Sequence, residues 1–189
     1  MDLYEAIEKR RTIRKFKGPA TAEQLTRIIA AGTKAPSPHN RQSWEFIVVD
    51  DPALIEKIAE IKFRLNLGYT VPHVERYMFP EQIEASDGPA QKGSFANASL
   101  VMVCHRKKGR FEGASAWTCI TTMLLAAAAE GLGSRIACFW GNAVKEINEL
   151  LHIPSEYRMA AAVSIGVAAE EPVRKVFRPE GSWLHQNRF

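Results

Sequence analysis

Residues 113–129, GASAWTCITTMLLAAAA, carry no charged side chain over roughly five turns of helix. The residues that follow, Glu130-Gly131-Leu132-Gly133, read as a helix end and a glycine stop. A helix that is apolar or small on every face is either buried on all sides or spans a membrane. A span needs roughly 20 predominantly apolar residues. This run is shorter and is interrupted by Ser115, Thr118, Thr121 and Thr122. It therefore predicts a buried core helix, whose small side chains let neighbouring elements, or a second copy of the same helix, approach closely. The rest of the chain has to wrap around it.

A chain of 189 residues fits one domain with a substantial core. Its 46% hydrophobic and 24% charged residues suit a globular protein. The opening Met1-Asp2-Leu3-Tyr4-Glu5 has no charged-then-apolar leader, so a cytoplasmic protein without a membrane partner is expected. Cys104, Cys119 and Cys138 lie in or beside apolar runs without metal-type spacing, which predicts reduced, buried thiols. The histidines show no paired spacing either, and no metal is expected. The net charge of +4 is unevenly placed. Basic clusters occur at residues 9–17, at 105–110, and at Arg174, Lys175 and Arg178. Such patches attract anions, whether a phosphorylated cofactor, a nucleic acid or an acidic protein, or they are simply solvated faces.

Along the chain, residues 2–10 read as a short helix capped by Asp2, with Leu3, Ala6 and Ile7 on one face. Thr21 and Gln24 form a capping box for a second helix striped by Leu25, Ile28 and Ile29. Residues 32–42 are a loop, 44–49 an apolar strand, and a helix with Leu54, Ile55, Ile58, Ile61 and Leu65 on one side follows. Residues 68–97 are the least regular stretch and read as a lid or binding loop. Strands are expected at 99–104, 135–139 and 159–169, with a helix at 144–151. The tail from Pro172 has no periodic pattern, yet Trp183, Leu184 and Phe189 give it something to bury, which implies packing on another surface such as a partner subunit. Strands interleaved with helices imply a central sheet in an α/β or α+β sandwich, formed by a single domain over 1–189 with a lid-like insertion at 68–97 and a C-terminal arm at 172–189.

Two stretches carry chemistry. Residues 10–16, RRTIRKF, place three arginines and a threonine at a helix exit, where guanidinium forks can grip a phosphate. The same residues could merely complement a helix dipole. Residues 35–46, APSPHNRQSWEF, hold Ser37 between two prolines and set the amides of Asn40 and Gln42 on a stiffened loop. Amides donate and accept, which suits the edge of a flat heterocycle. A rigid connector before a strand is the plainer reading.

Taken in order, these stretches resemble the FMN-dependent nitroreductase family: R-x-[ST]-x-R-x-F near residue 10, then P-S-x-x-N-x-Q-x-W leading into a strand. The likeness continues through Gly131-Leu132-Gly133-Ser134 and into the ending, where Arg178-Pro179-Glu180 precedes a late aromatic. The resemblance implies an α+β three-layer sandwich with a central mixed sheet and a long buried helix, assembled as an intertwined homodimer with two FMN sites. Arg10, Arg11, Thr12 and Arg14 would hold the phosphate and the pyrimidine side of the flavin. Pro36, Ser37, Pro38, Asn40 and Gln42 would reach it from the other subunit, and Lys175 and Arg178 would complete the phosphate site. Ala137, Cys138 and Phe139 would lie beside the ring, where many members place small residues and a backbone N–H near N5. Here Cys138, Phe139 and Trp140 would crowd that face, and Cys138 is expected to be a buried, inert thiol.

The activity implied is a ping-pong cycle in which NADH or NADPH delivers hydride to flavin N5 and a nitroaromatic, quinone or related small-molecule acceptor removes it. No catalytic side chain is required. No G-x-G-x-x-G follows a strand, so nicotinamide would stack on FMN and not occupy a Rossmann site. Three alternatives stand beside this reading. A specialised relative could carry out reductive dehalogenation, ring dehydrogenation or flavin fragmentation. A protein could bind FMN without turnover. A basic module could bind nucleic acid, although no nucleic-acid partner is the expectation.

Overall fold

The computed structural model describes residues 1–67, 87–172, 177–179 and 181–188. The order of elements is α1 (Leu3–Lys9), β1 (Phe16–Pro19), α2 (Ala22–Gly32), a 3-10 turn (Pro38–Asn40), β2 (Trp44–Val49), α3 (Pro52–Asn66), α4 (Gly88–Gly93), β3 (Ser99–Arg106), α5 (Glu112–Ala129), β4 (Gly133–Ala137), α6 (Asn142–Leu150) and β5 (Tyr157–Ala168). The expected starts hold for local reasons. Asp2 and Thr21 both close capping boxes, with Glu5 and Gln24 respectively, satisfying helix N–H groups that have no partner within the helix.

β5 is the spine of the sheet. β3 and β4 run antiparallel along its two edges, β1 pairs with its last residues on the edge opposite β4, since Gly166 pairs with both Pro19 and Gly133, and β2 lies outside β3. All pairings between named strands are antiparallel. The expected mixed character is confined to one parallel bridge, Thr12 to Ser134. The alternation of β3 sends Val101 and Val103 into a core with α2 and α5, and Leu100, Met102 and Cys104 into a second core with α3 and α6. Helices therefore cover both faces, giving the three-layer α+β sandwich.

α5 ends as its sequence implies. Gly131 takes φ +76°, the Gly131 N–H reaches Ala128 O at 3.0 Å and the Leu132 N–H reaches Ala127 O at 2.9 Å, a Schellman cap. α2 lies so close to α5 that a Cβ on Gly32 would sit 2.5 Å from Met123 Cγ. α5 is not covered all round, however. Ala114, Trp117, Thr118 and Thr121 form an exposed stripe. The hydroxyls of Thr118, Thr121 and Thr122 bond back to Ser115, Trp117 and Thr118 carbonyls, which turns their methyl groups outward. Beside it, α1 exposes Leu3, Tyr4 and Ile7.

Two further expectations are revised. Residues 88–93, assigned to the irregular stretch, form α4: Asp87 accepts from the Ala90 N–H at 2.9 Å and Pro89 lies in the first turn, where its missing N–H does no harm. Strand β4 starts two residues earlier than expected, because Gly133 can lie against Gly166 of β5. Trp183 and Leu184 are exposed within the single chain. Residues 68–86, the remainder of the expected lid, lie outside the described residues. No helix among the described residues is long and apolar enough to cross a membrane.

Candidate functional site

The arginine segment leaves α1 at Arg10, where the backbone turns extended, and is pinned to β4 through the Ile13 N–H to Ser134 O bond of 3.1 Å. Ile13 and Phe16 are buried, so Arg10, Arg11, Thr12 and Arg14 remain on the outer side or half-buried. A cavity of about 260 Å³ opens there, walled by Lys9, Arg10, Arg11, the 131–134 turn and Glu170. The arginines are not equivalent. The Arg11 guanidinium donates to the carbonyls of Glu8 and Arg10, closing the end of α1. Burial pulls Arg14 below the ordinary arginine range, with Glu170 opposing. The Glu170 carboxylate itself accepts from the backbone N–H groups of Arg14 and Lys15.

The amide loop lies elsewhere. Ser37 fastens it, its Oγ accepting from the Gln42 N–H at 3.1 Å and its carbonyl from the Asn40 N–H at 3.0 Å. Gln42 Nε2 donates to Asn40 Oδ1 at 3.0 Å. His39, Asn40 and Gln42 hold φ values of 52°, 52° and 46°, a left-handed conformation that residues other than glycine adopt at a cost. Arg41 anchors the loop to the buried Glu112 at 3.2 Å, and Thr118 Oγ1 reaches Pro36 O at 3.2 Å. Pro36, Ser37 and Pro38 thus border an open groove of about 400 Å³ against Phe111, Ala114 and Thr118 on α5.

The two motifs flank opposite ends of α5. One touches Thr118 and the other Ala128, a separation of about 15 Å at 1.5 Å rise per residue. A single chain does not bring them together.

The model of the nitroreductase family matches residues 7–167. The chain belongs to the nitroreductase family. An iodotyrosine deiodinase from Thermotoga neapolitana is 28% identical over 180 residues, covering 94% of each chain. An NADH dehydrogenase from Thermus thermophilus is 28% identical, covering 90% of this chain and 89% of the relative. A crystal structure of oxidized iodotyrosine deiodinase bound to FMN and 3-iodo-L-tyrosine is 27% identical, covers 100% of both chains and superposes with a TM-score of 0.81.

In this nitroreductase-family chain the strip after β4 departs from its expected environment. Ala137 is buried, but Cys138 is exposed and not the buried thiol expected. Desolvation nevertheless raises its pKa, with Lys62 and Arg135 opposing, so it is not an activated thiolate. Phe139 is half-buried and Trp140 exposed. Arg178 is exposed, donating to Ser182 O at 2.7 Å within the tail, and Lys175 lies outside the described residues.

Beneath the strip are two cations that were not singled out from the sequence. Lys62, only 3% exposed, donates from Nζ to Cys138 O at 2.8 Å and sits 5.4 Å from the Phe139 ring centre and 4.9 Å from that of Trp140. Burial, then Arg135, push Lys62 down to about 8. Arg135, 2% exposed, bonds Gln91 Oε1 at 2.9 Å and stacks 5.1 Å from the Phe95 ring. Its pKa is depressed by burial and then by Arg14. Among the described residues neither Lys62 nor Arg135 pairs with a carboxylate. The signal was present in one case: Lys62 falls on the apolar stripe of α3 between Ile58 and Leu65, a charge where a core residue belongs.

Proposed function

We propose that two copies of this chain form an FMN-dependent oxidoreductase that draws electrons from NADH or NADPH and passes them to a small-molecule acceptor. The observation that carries this reading is the split of the site across α5. Pairing two copies of α5 antiparallel about a twofold axis would bring the 36–42 loop of one beside the 10–14 segment of the other. The exposed stripe of α5, with methyl groups and the Trp117 indole outward, is the surface such a pairing needs.

The donors suit FMN. Arg10 and Thr12 offer positive charge and a hydroxyl for a phosphate, joined in this reading by Lys175 and Arg178. Arg11 is partly committed to the end of α1, so Arg10 carries more of that load. The half-buried Arg14 would favour negative charge on the pyrimidine side of the ring. Asn40 and Gln42, with Pro36, Ser37 and Pro38, would meet the ring from the other subunit, and Ala137, Cys138 and Phe139 would flank it. FMN, when bound, supplies a ring that accepts hydride from the nicotinamide and yields it to the acceptor once the nicotinamide has left. The residues named bind, orient and set charge; none is needed as an acid or base. The FMN-bound deiodinase of the same fold supports the cofactor, and the Thermus relative's name supports a nicotinamide donor.

A second reading, reductive dehalogenation, is favoured by the full-length similarity to an iodotyrosine deiodinase in both sequence and crystal structure. The test is a visible spectrum of the purified protein, followed by anaerobic addition of NADPH and of NADH. Bleaching of flavin bands by either is the expected result; a protein that takes up no flavin would overturn the reading. Iodide release from 3-iodotyrosine by the reduced protein, set against nitroaromatic or quinone turnover, separates the two acceptor classes.

A further inference from the structure

Lys62 is an expensive residue to place where it is. An ammonium ion out of water and, among the described residues, without a carboxylate is destabilising, and a second cation, Arg135, lies close enough to raise that cost. Nothing in the packing of α3 requires it: Ile58 and Ile61 show that the same face accepts aliphatic side chains. What Lys62 contributes is its hydrogen bond to one carbonyl, that of Cys138.

That bond has a consequence for the neighbouring peptide. All described peptide bonds are trans, so the carbonyl of Cys138 and the N–H of Phe139, which share one peptide plane, point in opposite directions. Lys62 is buried and Cys138 exposed, so holding the carbonyl inward turns the Phe139 N–H outward. Among the described residues that N–H donates to no acceptor. The rings of Phe139 and Trp140 bracket the ammonium and help to fix the strip in this orientation.

We propose that Lys62 is a positioning residue for the cofactor site: by capturing the Cys138 carbonyl it commits the Phe139 N–H, and not that of Cys138, as the strip's donor to the flavin ring. Its charge lies directly behind that donor, with Arg135 nearby, and adds to the preference for an electron-rich ring. The inference rests on the flavin reading above. It assigns no proton transfer to Lys62 and makes it no catalytic residue.

The experiment uses the full-length holoprotein. Amide hydrogen exchange, read by NMR on protein labelled with 15N, compares Phe139 and Cys138 with and without FMN. Protection of Phe139 is expected to rise at least tenfold on FMN binding, with Cys138 little changed. In K62M the Phe139 protection should be lost. The affinity for reduced over oxidised FMN should also fall about tenfold, a shift of about 30 mV for a two-electron couple, while K62R, which keeps donor and charge, retains both. Protection at Cys138 in place of Phe139 in the unsubstituted protein would overturn the proposal, whatever K62M does. So would a folded K62M that keeps the Phe139 protection and the affinity ratio. A protein that binds no FMN at all would overturn the flavin reading itself and this inference with it.

Discussion

Replacing Lys62 by methionine should stabilise the protein near neutral pH while weakening its cofactor site. The burial that displaces Lys62 from 10.5 to about 8 makes the charged form costlier in the fold by about 3 kcal/mol. Methionine removes that cost and fills similar volume. Against it stands the Cys138 carbonyl, which loses its donor at a cost of about 1–2 kcal/mol. The net gain at pH 7 is therefore about 1–2 kcal/mol. Its pH dependence is the sharper signature. Because the folded pKa is depressed, between pH 8 and 10.5 the unfolded chain holds a proton that the folded chain has released. The original protein therefore gains stability as pH rises through that window. By about pH 9.5 it recovers about 2 kcal/mol, so the advantage of K62M should vanish or reverse. Urea unfolding of both apo proteins at pH 7 and pH 9.5 measures this, with bound flavin excluded because it would stabilise the folded state by mass action. A K62M variant clearly less stable at pH 7, or a difference unchanged between the two pH values, would refute the reasoning. The expected outcome is a residue kept at the expense of stability for what it does at a site.

Two other outcomes follow from close packing and exposed surface. Gly166→Ala would bring a Cβ to 2.5 Å from the backbone oxygen of Gly18, and chemical denaturation should show a loss of about 2–3 kcal/mol; a gain, as at an open glycine, would show that β1 can move aside. Trp117→Glu places a charge on the exposed stripe of α5; sedimentation should show monomers that no longer retain flavin, and a dimer that still retains it would show that α5 is not the interface.

Much of the local structure was legible because its causes are local. The two capping boxes, the glycine stop after α5 and the apolar strands at 44–49 and 99–104 depend on residues a few positions apart. The boundaries of β4 were not, since its first residue is set by what lies across from it in β5, some 30 positions later. α4 was missed because Gly88 and Pro89 read as breakers, although Pro89 sits in the first turn and Asp87 supplies the cap. Cys138 was misjudged because an apolar neighbourhood in sequence says little about which side of a strand end faces out.

The site divides in the same way. Arg10, Thr12, Arg14, Asn40 and Gln42 are proposed for the site from residue chemistry and motif order, which do not depend on where the chain later goes. Their placement at opposite ends of α5, the closing of Arg11 onto its own helix, and the pairing of Lys62 with the Cys138 carbonyl came only with the fold. Residues 62 and 138 are far apart along the chain, and no local pattern relates them. Sequence thus determined which elements form and which side chains could meet a phosphate or a flat ring, because backbone propensity, capping and donor chemistry act over short range. Tertiary structure decided which of those side chains are already occupied, and which buried charge lies behind the strip, because packing and desolvation depend on neighbours that only the folded chain brings together.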